Sequence, residues 1–214
     1  LGAAAAVAVL FSRRLNPLDP SNLRLWGLVL AAVLPSGAVG ALTDDWMEEN
    51  LHRPAVVGVC LIAYGVFFLL AERRRTPPRI TRAEDTDLST ALGIGLFQCL
   101  SLVPGTSRSG ATVLGGLLLG ASRTAAAEFS FLMALPTMLG ACLFRGGKLV
   151  LAGTVFTGTE TAALLTGCAV SFSVSLLVIR ALLDYVRTHT FAPFARYRMA
   201  LGAAVLLARL TGRS

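Results

Sequence analysis

Long apolar runs without charged residues constrain the fold of this chain more than any other feature. The cleanest run, residues 54–71, holds eighteen residues and no charge. A helix needs about 20 predominantly apolar residues to cross the hydrocarbon core of a bilayer. Further apolar runs occupy residues 25–42, 125–144 and 149–183, of which the last two carry one and two charged residues, and the last is too long for a single helix. The pattern predicts an all-α, polytopic transmembrane helix bundle with about six or seven membrane segments.

The composition excludes other classes of protein. Of the 214 residues, 55% are hydrophobic and 14% are charged, whereas soluble domains carry about 25% charged residues. Disordered chains are poor in apolar residues, and four cysteines are too few for a secreted disulfide scaffold. The net charge of +7 lies mostly in short loops beside apolar runs, which is typical of membrane topology. We therefore expect contact with membrane lipids and no nucleic-acid partner.

No linker or low-complexity stretch divides the chain, so residues 1–214 are predicted to form a single integral membrane domain. The polar stretches 43–53 and 184–198 are predicted as loops, and a Gly/Thr-rich turn is predicted near residues 153–161. The chain opens inside an apolar run, residues 1–11, of about half a bilayer span. We interpret the sequence as a fragment that lacks an N-terminal part.

One membrane segment is interrupted by a polar break. Residues 88–103 and 111–121 are apolar, but each run is too short to cross a bilayer comfortably. Between them lies the polar, glycine-containing stretch 104–110. Irregular backbone at membrane depth is tolerated only where it lines a cavity or is buried in protein. The break therefore predicts a re-entrant hairpin or a broken helix, a feature that points to a binding site.

The residue types in this break suit a phosphate or diphosphate group. Glycines let successive backbone N–H groups turn inward and form an anion-binding concavity, hydroxyl side chains add donors, and an arginine adds a planar fork that matches phosphate. The start of the following helix would add its dipole. The alternative is a polar loop whose arginine extends to the membrane interface. The predicted phosphate-binding residues are Gly105, Thr106, Ser107, Arg108, Ser109 and Gly110.

Two further polar residues lie in apolar surroundings. Gln98 either donates to a bound phosphate or forms a hydrogen bond between helices. Glu128 either ligates a metal, pairs with an arginine, or is an interfacial carboxylate favoured by a helix start. Both stay possible supporting residues of the site. No set of His, Cys, Asp and Glu with metal-ligand spacing occurs in the sequence.

A specific resemblance is carried by the run PGTSRSGAT at residues 104–112 and by Phe97 and Gln98 before it. These residues closely resemble the second signature of the bacitracin-resistance type undecaprenyl-diphosphatases. The resemblance continues at residues 127–132, 136–140 and 191–198. It implies a multi-pass enzyme of the bacterial plasma membrane that hydrolyses undecaprenyl diphosphate to undecaprenyl phosphate and inorganic phosphate, which recycles the lipid carrier of cell-wall synthesis.

The resemblance also implies an inverted-repeat fold and a divalent cation, Mg or Ca. If the roles of the family's signature residues apply at the matching positions here, Arg108 binds phosphate, Ser107 belongs to the catalytic cluster and Thr112 supports that cluster. The first signature of the family, with a glutamate pair, a Ser-Ser-Thr-Gly stretch and a histidine, has no match in this sequence. We expect the metal ligands to lie outside the sequence, and the chain alone to hold half a site.

Two other function classes stay open. A flippase or transporter of a phosphorylated polyprenyl lipid, or of another anion, also uses broken helices and inverted repeats. A structural membrane protein without a site is disfavoured by the concentration of donors at residues 104–110. Whether the chain forms a homodimer is not decided by the sequence.

Overall fold

The computed structural model describes residues 1–16, 19–51, 53–73, 77–153 and 156–211. Within these ranges the chain forms helices, apart from one isolated β-bridge, and the predicted all-α class is confirmed. Three short 3₁₀ segments, Ser12–Leu15, Ala83–Asp85 and Leu100–Leu102, join them. The α-helices are α1 (Gly2–Leu10), α2 (Pro20–Leu51), α3 (Pro54–Arg73), α4 (Leu88–Cys99), α5 (Arg108–Leu118), α6 (Arg123–Leu151), α7 (Gly158–Thr188) and α8 (Ala192–Leu210).

Four helices in the described ranges are long and apolar enough to cross a membrane. They are the first part of α2 (Pro20–Thr43), α3, most of α6 (Arg123–Leu149) and α7. The predicted number of about six or seven segments counted shorter helices as well. Among these, α8 spans 19 residues but carries Arg196, Arg198 and Arg209. The chain is therefore a polytopic membrane protein whose shorter helices pack among four long ones.

Two polar stretches predicted as loops are largely helical, so these predictions were wrong. α2 continues through the acidic stretch to Leu51, and α7 and α8 extend into residues 184–198. Polar composition made these stretches look like loops, but neither the acidic stretch nor the end of α7 contains glycine or proline. Charged residues with ordinary helix propensity continue a helix beyond the apolar layer. The turn predicted near residues 153–161 does separate α6 from α7.

α4 and α5 form the predicted re-entrant hairpin. Their 12 and 11 residues correspond to about 18 and 17 Å, well short of a hydrocarbon core of about 30 Å. The two helices pack against each other. The segments before α4 and after α5 meet in a β-bridge between Ile80 and Ala121, and Ser122 N donates to Ile80 O at 2.7 Å. The hairpin therefore enters and leaves the bundle at the same end.

The start of the hairpin is fixed by a helix cap. The Asp87 carboxylate accepts a hydrogen bond from the Thr90 backbone N–H at 2.7 Å, which satisfies one of the donors that a helix start leaves free. Hydrogen bonds from the side chain and backbone of Thr90 and from Ser89 lower the pKa of Asp87 to about 2. The cap thus stays ionised, and its contribution to stability is present above the ordinary carboxyl pKa and is lost only as the pH falls towards 2.

The buried core has two parts that meet at the hairpin. One cluster joins α2, α4 and α6, with Val29, Ile94 and Phe129 at its centre. The other joins α3, α5, α6 and the α7–α8 connection, with Phe68, Leu114 and Phe191. The hairpin contributes to both clusters, so its loop is held between the two halves of the bundle.

Glycines let α3 and α8 pack closely. A Cβ atom added to Gly202 would lie 2.7 Å from the backbone oxygen of Gly58 and 2.8 Å from Cγ1 of Ile62. Gly65 has the same function about two turns after Gly58, where its added Cβ would lie 2.8 Å from the backbone oxygen of Ala195. Small residues allow this close approach of helices within a membrane. The contact fixes the position of α8 beside the hairpin loop.

We predict that Gly202→Ala lowers the free energy of unfolding by about 1–3 kcal/mol, because the methyl group overlaps backbone atoms of α3. Gly167→Ala is the matched control, since nothing lies within 4 Å of its added Cβ. The control is expected to change stability by at most about 1 kcal/mol, in the stabilising direction. Thermal unfolding of both purified variants in detergent measures the difference. Equal unfolding temperatures for the two variants would contradict the close contact.

Candidate functional site

The hairpin loop turns at a glycine that no other residue can replace easily. Gly105 has φ +91°, a conformation that L side chains rarely adopt. A Cβ added there would also lie 2.7 Å from the backbone oxygen of Val57 and 2.8 Å from its Cα. The loop backbone therefore lies directly against α3. This close approach places the loop inside the bundle instead of at its surface.

Ser107 occupies the start of α5 in an unusual conformation. Among the described residues it is the one non-glycine with positive φ, at 64°, which costs about 1–3 kcal/mol. Its Oγ accepts a hydrogen bond from Gly110 N at 3.3 Å and caps α5. The side chain is exposed to a cavity. Because the Oγ accepts from Gly110, its own proton is free to donate to a ligand.

Thr106 faces the interior of the loop. Its hydroxyl donates to Val103 O at 2.6 Å and to Leu100 O at 3.0 Å, and the residue is buried. A hydroxyl carries a single proton, so this donor is committed to the loop itself. The structure thus gives the Thr106 side chain a supporting position within the loop.

Thr112 ties the first turn of α5 to α6. Its Oγ1 donates to the carbonyl oxygens of Arg108 and Ser109, each at 3.1 Å, and lies 2.6 Å from Ser130 Oγ. The Thr112–Ser130 pair is the shortest of these contacts and joins α5 to α6. Both hydroxyl side chains are buried. This network fixes the direction of the helix start that carries Arg108.

Arg108 and Ser107 face adjoining cavities. Arg108 lines a cavity of about 350 Å³ beside α6 and α7. Ser107 and Gly110 line a second cavity, of about 280 Å³, beside α3 and α8. The two cavities share the residues Ser109, Ser130 and Phe131. The predicted donors thus lie around one helix start, with Ser109 between the two spaces.

The second cavity has apolar walls and a polar end. Its polar lining comes from Ser107, Ser109, Ser130 and Arg198. Its walls are rich in aromatic side chains, namely Phe68, Phe131, Phe191, Phe194 and Tyr197. Such a division suits an amphipathic ligand whose polar group lies at the helix start and whose apolar part contacts the rings.

Two arginines beside the loop have no carboxylate partner among the described residues. The side chain of Arg108 makes no hydrogen bond or ion pair in the ranges that the structure describes, and it is half-buried. Arg198 is also half-buried and donates only to the backbone carbonyls of Gly105 and Thr106, at 2.8 and 3.1 Å. Every other arginine with a described side chain is exposed or ion-paired with a carboxylate. The positive charge at the loop is therefore uncompensated.

The side chains of Gln98 and Glu128 have their partners in other helices and segments, away from the loop. Gln98 Nε2 donates to Ser36 Oγ at 2.6 Å and is buried between α4 and α2. Glu128 forms an ion pair with Arg14 at 2.9 Å, and Arg14 also pairs with Glu84 at 3.0 Å. Of the alternatives that the sequence left open, the structure shows the interhelical bond for Gln98 and the arginine pair for Glu128.

The described residues do not form a metal site. No three His, Cys, Asp or Glu side chains of the described ranges come together in a way that could hold a metal ion. Glu128 is occupied by an arginine, as described above. Residues 104–112 contain no carboxylate, and Arg108 among them would repel a cation. The described part of the chain therefore does not fit a divalent cation site.

Sequence reasoning missed Arg198 and Ser130. Arg198 falls in a stretch that was predicted as a loop, although Pro193 in the first turn of α8 is a recognisable helix-start signal. Its contacts with the loop join residues 93 and 92 positions apart in the chain. Ser130 is a small hydroxyl residue inside an otherwise apolar helix, a type that commonly bonds between membrane helices.

The fold and the loop define the class: a polytopic membrane protein with a re-entrant hairpin whose tip carries serine hydroxyls, an arginine and a helix start. A family model described as "Bacitracin resistance protein BacA" matches residues 1–204. The chain belongs to this family, and the resemblance found in the sequence is confirmed.

Curated relatives match over nearly the whole chain. A protein named undecaprenyl-diphosphatase from Lacticaseibacillus casei (strain BL23) is 48% identical over 215 residues, which cover 96% of this chain and 79% of the relative. One of the same name from Lactobacillus delbrueckii subsp. bulgaricus is 46% identical and covers 98% of this chain and 80% of the relative. A third, from Streptococcus mutans serotype c, is 43% identical, with 96% and 77% covered.

We predict that Thr112→Val lowers the free energy of unfolding by about 1–3 kcal/mol, because it leaves the buried Ser130 hydroxyl without its partner. Thr137→Val is the control, since the Thr137 hydroxyl bonds only to the backbone of its own helix, at Met133 O. The control is expected to stay within about 0.5 kcal/mol of the wild type. Chemical unfolding in detergent compares the two variants. A loss in Thr137→Val as large as in Thr112→Val would speak against the interhelical network.

Proposed function

We propose that this chain is a membrane phosphatase that hydrolyses undecaprenyl diphosphate to undecaprenyl phosphate and inorganic phosphate. Membership of the BacA family and the names of its relatives support this activity. The observation that carries the proposal is the uncompensated arginine Arg108 at the start of α5, beside an amphipathic cavity. We place the protein in the bacterial plasma membrane, where the reaction recycles the lipid carrier of cell-wall synthesis.

The proposed chemistry rests on charge stabilisation. Phosphoryl transfer spreads negative charge over the equatorial phosphate oxygens, and its catalysis is mainly positioning and electrostatics. The guanidinium of Arg108 donates two parallel hydrogen bonds to such oxygens. As the first two residues of α5, Arg108 and Ser109 also have backbone N–H groups that no intrahelical acceptor satisfies. A helix start with free N–H groups binds phosphate.

The remaining loop residues orient the terminal phosphate. Ser107 donates its hydroxyl proton to a phosphate oxygen, because its Oγ already accepts from Gly110. Thr112 holds the first turn of α5 in place through the carbonyls of Arg108 and Ser109. Hydrolysis breaks the bond between the terminal phosphorus and the bridging oxygen. That oxygen stays with the lipid monophosphate, and water supplies the new oxygen of inorganic phosphate.

The apolar part of the substrate fits the second cavity. In the proposed complex the diphosphate lies at Ser107 and Ser109, and the first isoprene units contact the aromatic walls. The cavity of about 280 Å³ holds only a small part of a long polyprenyl chain. The rest of the tail lies among the membrane lipids, which are equally apolar.

A divalent cation, Mg or Ca, is part of the proposal only as a condition to be tested. Since the described residues do not fit a metal site, no step of the proposed reaction is assigned to it. The assay that tests the function is therefore run both with a chelator and with each cation added.

A flippase or transporter of a phosphorylated lipid is the second candidate. The observation that favours it is the pair of cavities that meet at Ser109, Ser130 and Phe131, since a broken helix between two spaces is common to transporters. The two candidates differ in their product. A phosphatase releases inorganic phosphate, whereas a flippase leaves the diphosphate intact.

The deciding experiment measures release of inorganic phosphate from undecaprenyl diphosphate by the purified protein in detergent. We expect release that depends on the protein and gives the lipid monophosphate in equal amount. The reaction is followed with a chelator, with Mg and with Ca. No release under any of these conditions, together with movement of the intact lipid between leaflets of proteoliposomes, would favour the flippase.

We predict that Arg108→Lys lowers kcat/KM for undecaprenyl diphosphate by about a hundredfold, because an ammonium group cannot reproduce the bidentate fork. Arg196→Lys is the matched control, because Arg196 is exposed on α8 and carries no described ion pair. The control is expected to keep the wild-type kcat/KM. Phosphate release at varied substrate concentration measures both. Near-normal turnover in Arg108→Lys would remove Arg108 from the proposed mechanism.

A further inference from the structure

Arg198 binds the loop from a helix that lies far from it in the sequence. It lies on α8, and its Nη2 donates to the carbonyl oxygens of two consecutive residues, Gly105 at 2.8 Å and Thr106 at 3.1 Å. These residues form the turn that leads into the helix start. The close packing of α8 on α3 at Gly65 and Gly202 leaves Arg198 little freedom to move away. The loop is thus held by a side chain from a distant part of the chain.

These two hydrogen bonds fix the direction of the neighbouring amide group. In a trans peptide the C=O and the following N–H point in opposite directions within one plane. Because the Thr106 carbonyl points to Arg198, the N–H of Ser107 points away from Arg198. The first N–H groups of α5, at Arg108 and Ser109, follow from there. Arg198 therefore determines which face of the loop presents donors to a ligand.

Arg198 also brings an uncompensated charge to the site. Its Nε is buried and has no hydrogen-bond partner among the described residues, and its guanidinium lies 5.9 Å from the ring centre of Tyr64. It lines the same cavity as Ser107 and Ser109. A charge in such surroundings is weakly screened, so it attracts an anion at the helix start even without direct contact.

We infer that Arg198 is a positioning residue of the anion site, which holds the carbonyls of Gly105 and Thr106 behind the loop so that the loop N–H groups and Arg108 face the phosphate. The inference rests on the proposed function for its substrate, a lipid diphosphate. It adds a role in ligand binding for Arg198 on α8, a residue outside the run PGTSRSGAT.

The first arm of the test measures binding and needs no turnover. The probe is a farnesyl diphosphate analogue with CH₂ in place of the bridging oxygen, titrated into the purified chain in detergent. Arg198→Met keeps an unbranched apolar stem but removes the charge and donors of the guanidinium, and we expect it to weaken binding about tenfold. Arg196→Met, on the exposed side of the same helix, is expected to bind within about twofold of the wild type. Wild-type affinity in Arg198→Met would overturn the inference.

The second arm asks whether Arg198 acts through the loop. If it does, Arg198→Met and Arg108→Gln are coupled, and the double variant binds the analogue little worse than Arg108→Gln alone. If Arg198 only stabilised the bundle, the loss of affinity in Arg198→Met would be independent of the loss in Arg108→Gln, and the two factors would multiply in the double variant. Fully multiplicative losses would therefore overturn the positioning role while leaving the proposed phosphatase activity intact.

The third arm uses the conservative variant and also serves if Arg198→Met does not fold. Arg198→Lys keeps the charge but offers a point donor instead of a planar one. We expect its KM for undecaprenyl diphosphate to stay within about threefold of the wild type and its kcat to fall about tenfold, because the phosphate is attracted but less well aligned. An unchanged kcat would contradict the inference. If the wild type releases no phosphate at all, the proposed function fails, and the binding arms still test Arg198.

Discussion

A backbone that leaves its helix at membrane depth must find partners for its polar groups within the protein, since lipid offers none. At the hairpin tip one of these partners comes from a distant part of the chain and another from the loop itself. Arg198 satisfies the carbonyls of Gly105 and Thr106, and the Thr106 hydroxyl satisfies those of Leu100 and Val103. What remains unsatisfied is a set of N–H groups at the start of α5. The same constraint that shapes the loop thus leaves it with free N–H donors at the helix start.

The distribution of charge follows from this arrangement. A bundle in lipid normally pairs its interior arginines with carboxylates, as Arg14 does with Glu128 and Arg123 does with Glu72. A carboxylate beside Arg108 or Arg198 would compete with an anionic ligand for the same donors. Leaving both guanidinium groups unpaired is costly in a medium of low dielectric constant. A phosphate group that binds at the loop, as proposed, would neutralise these two charges and offset the cost.

Local signals in the sequence predicted the hairpin, because a glycine-containing polar break between two short apolar runs is visible without any tertiary information. They also predicted the anion-binding residue types. The sequence could not assign Thr106 to loop support or Glu128 to Arg14, since these depend on side-chain directions and distant partners. The predicted last helix was shorter than α8, because the charged residues before it were interpreted as a loop. Its Arg198 contacts residues more than 90 positions earlier, and sequence periodicity carries no information about such pairs.

Strain and ligand binding are coupled at the start of α5. Ser107 is held at positive φ by contacts of the helix turn that follows it: the capping bond to Gly110, and the Thr112–Ser130 pair. These contacts maintain a conformation that is unfavourable by itself, near two arginines without a described carboxylate partner. A ligand that brings negative charge would neutralise these arginines and add bonds to the free N–H groups, so it would stabilise the folded hairpin as it binds. Holding the helix start in this conformation therefore lowers the stability of the free protein, and ligand binding would offset that loss in the complex.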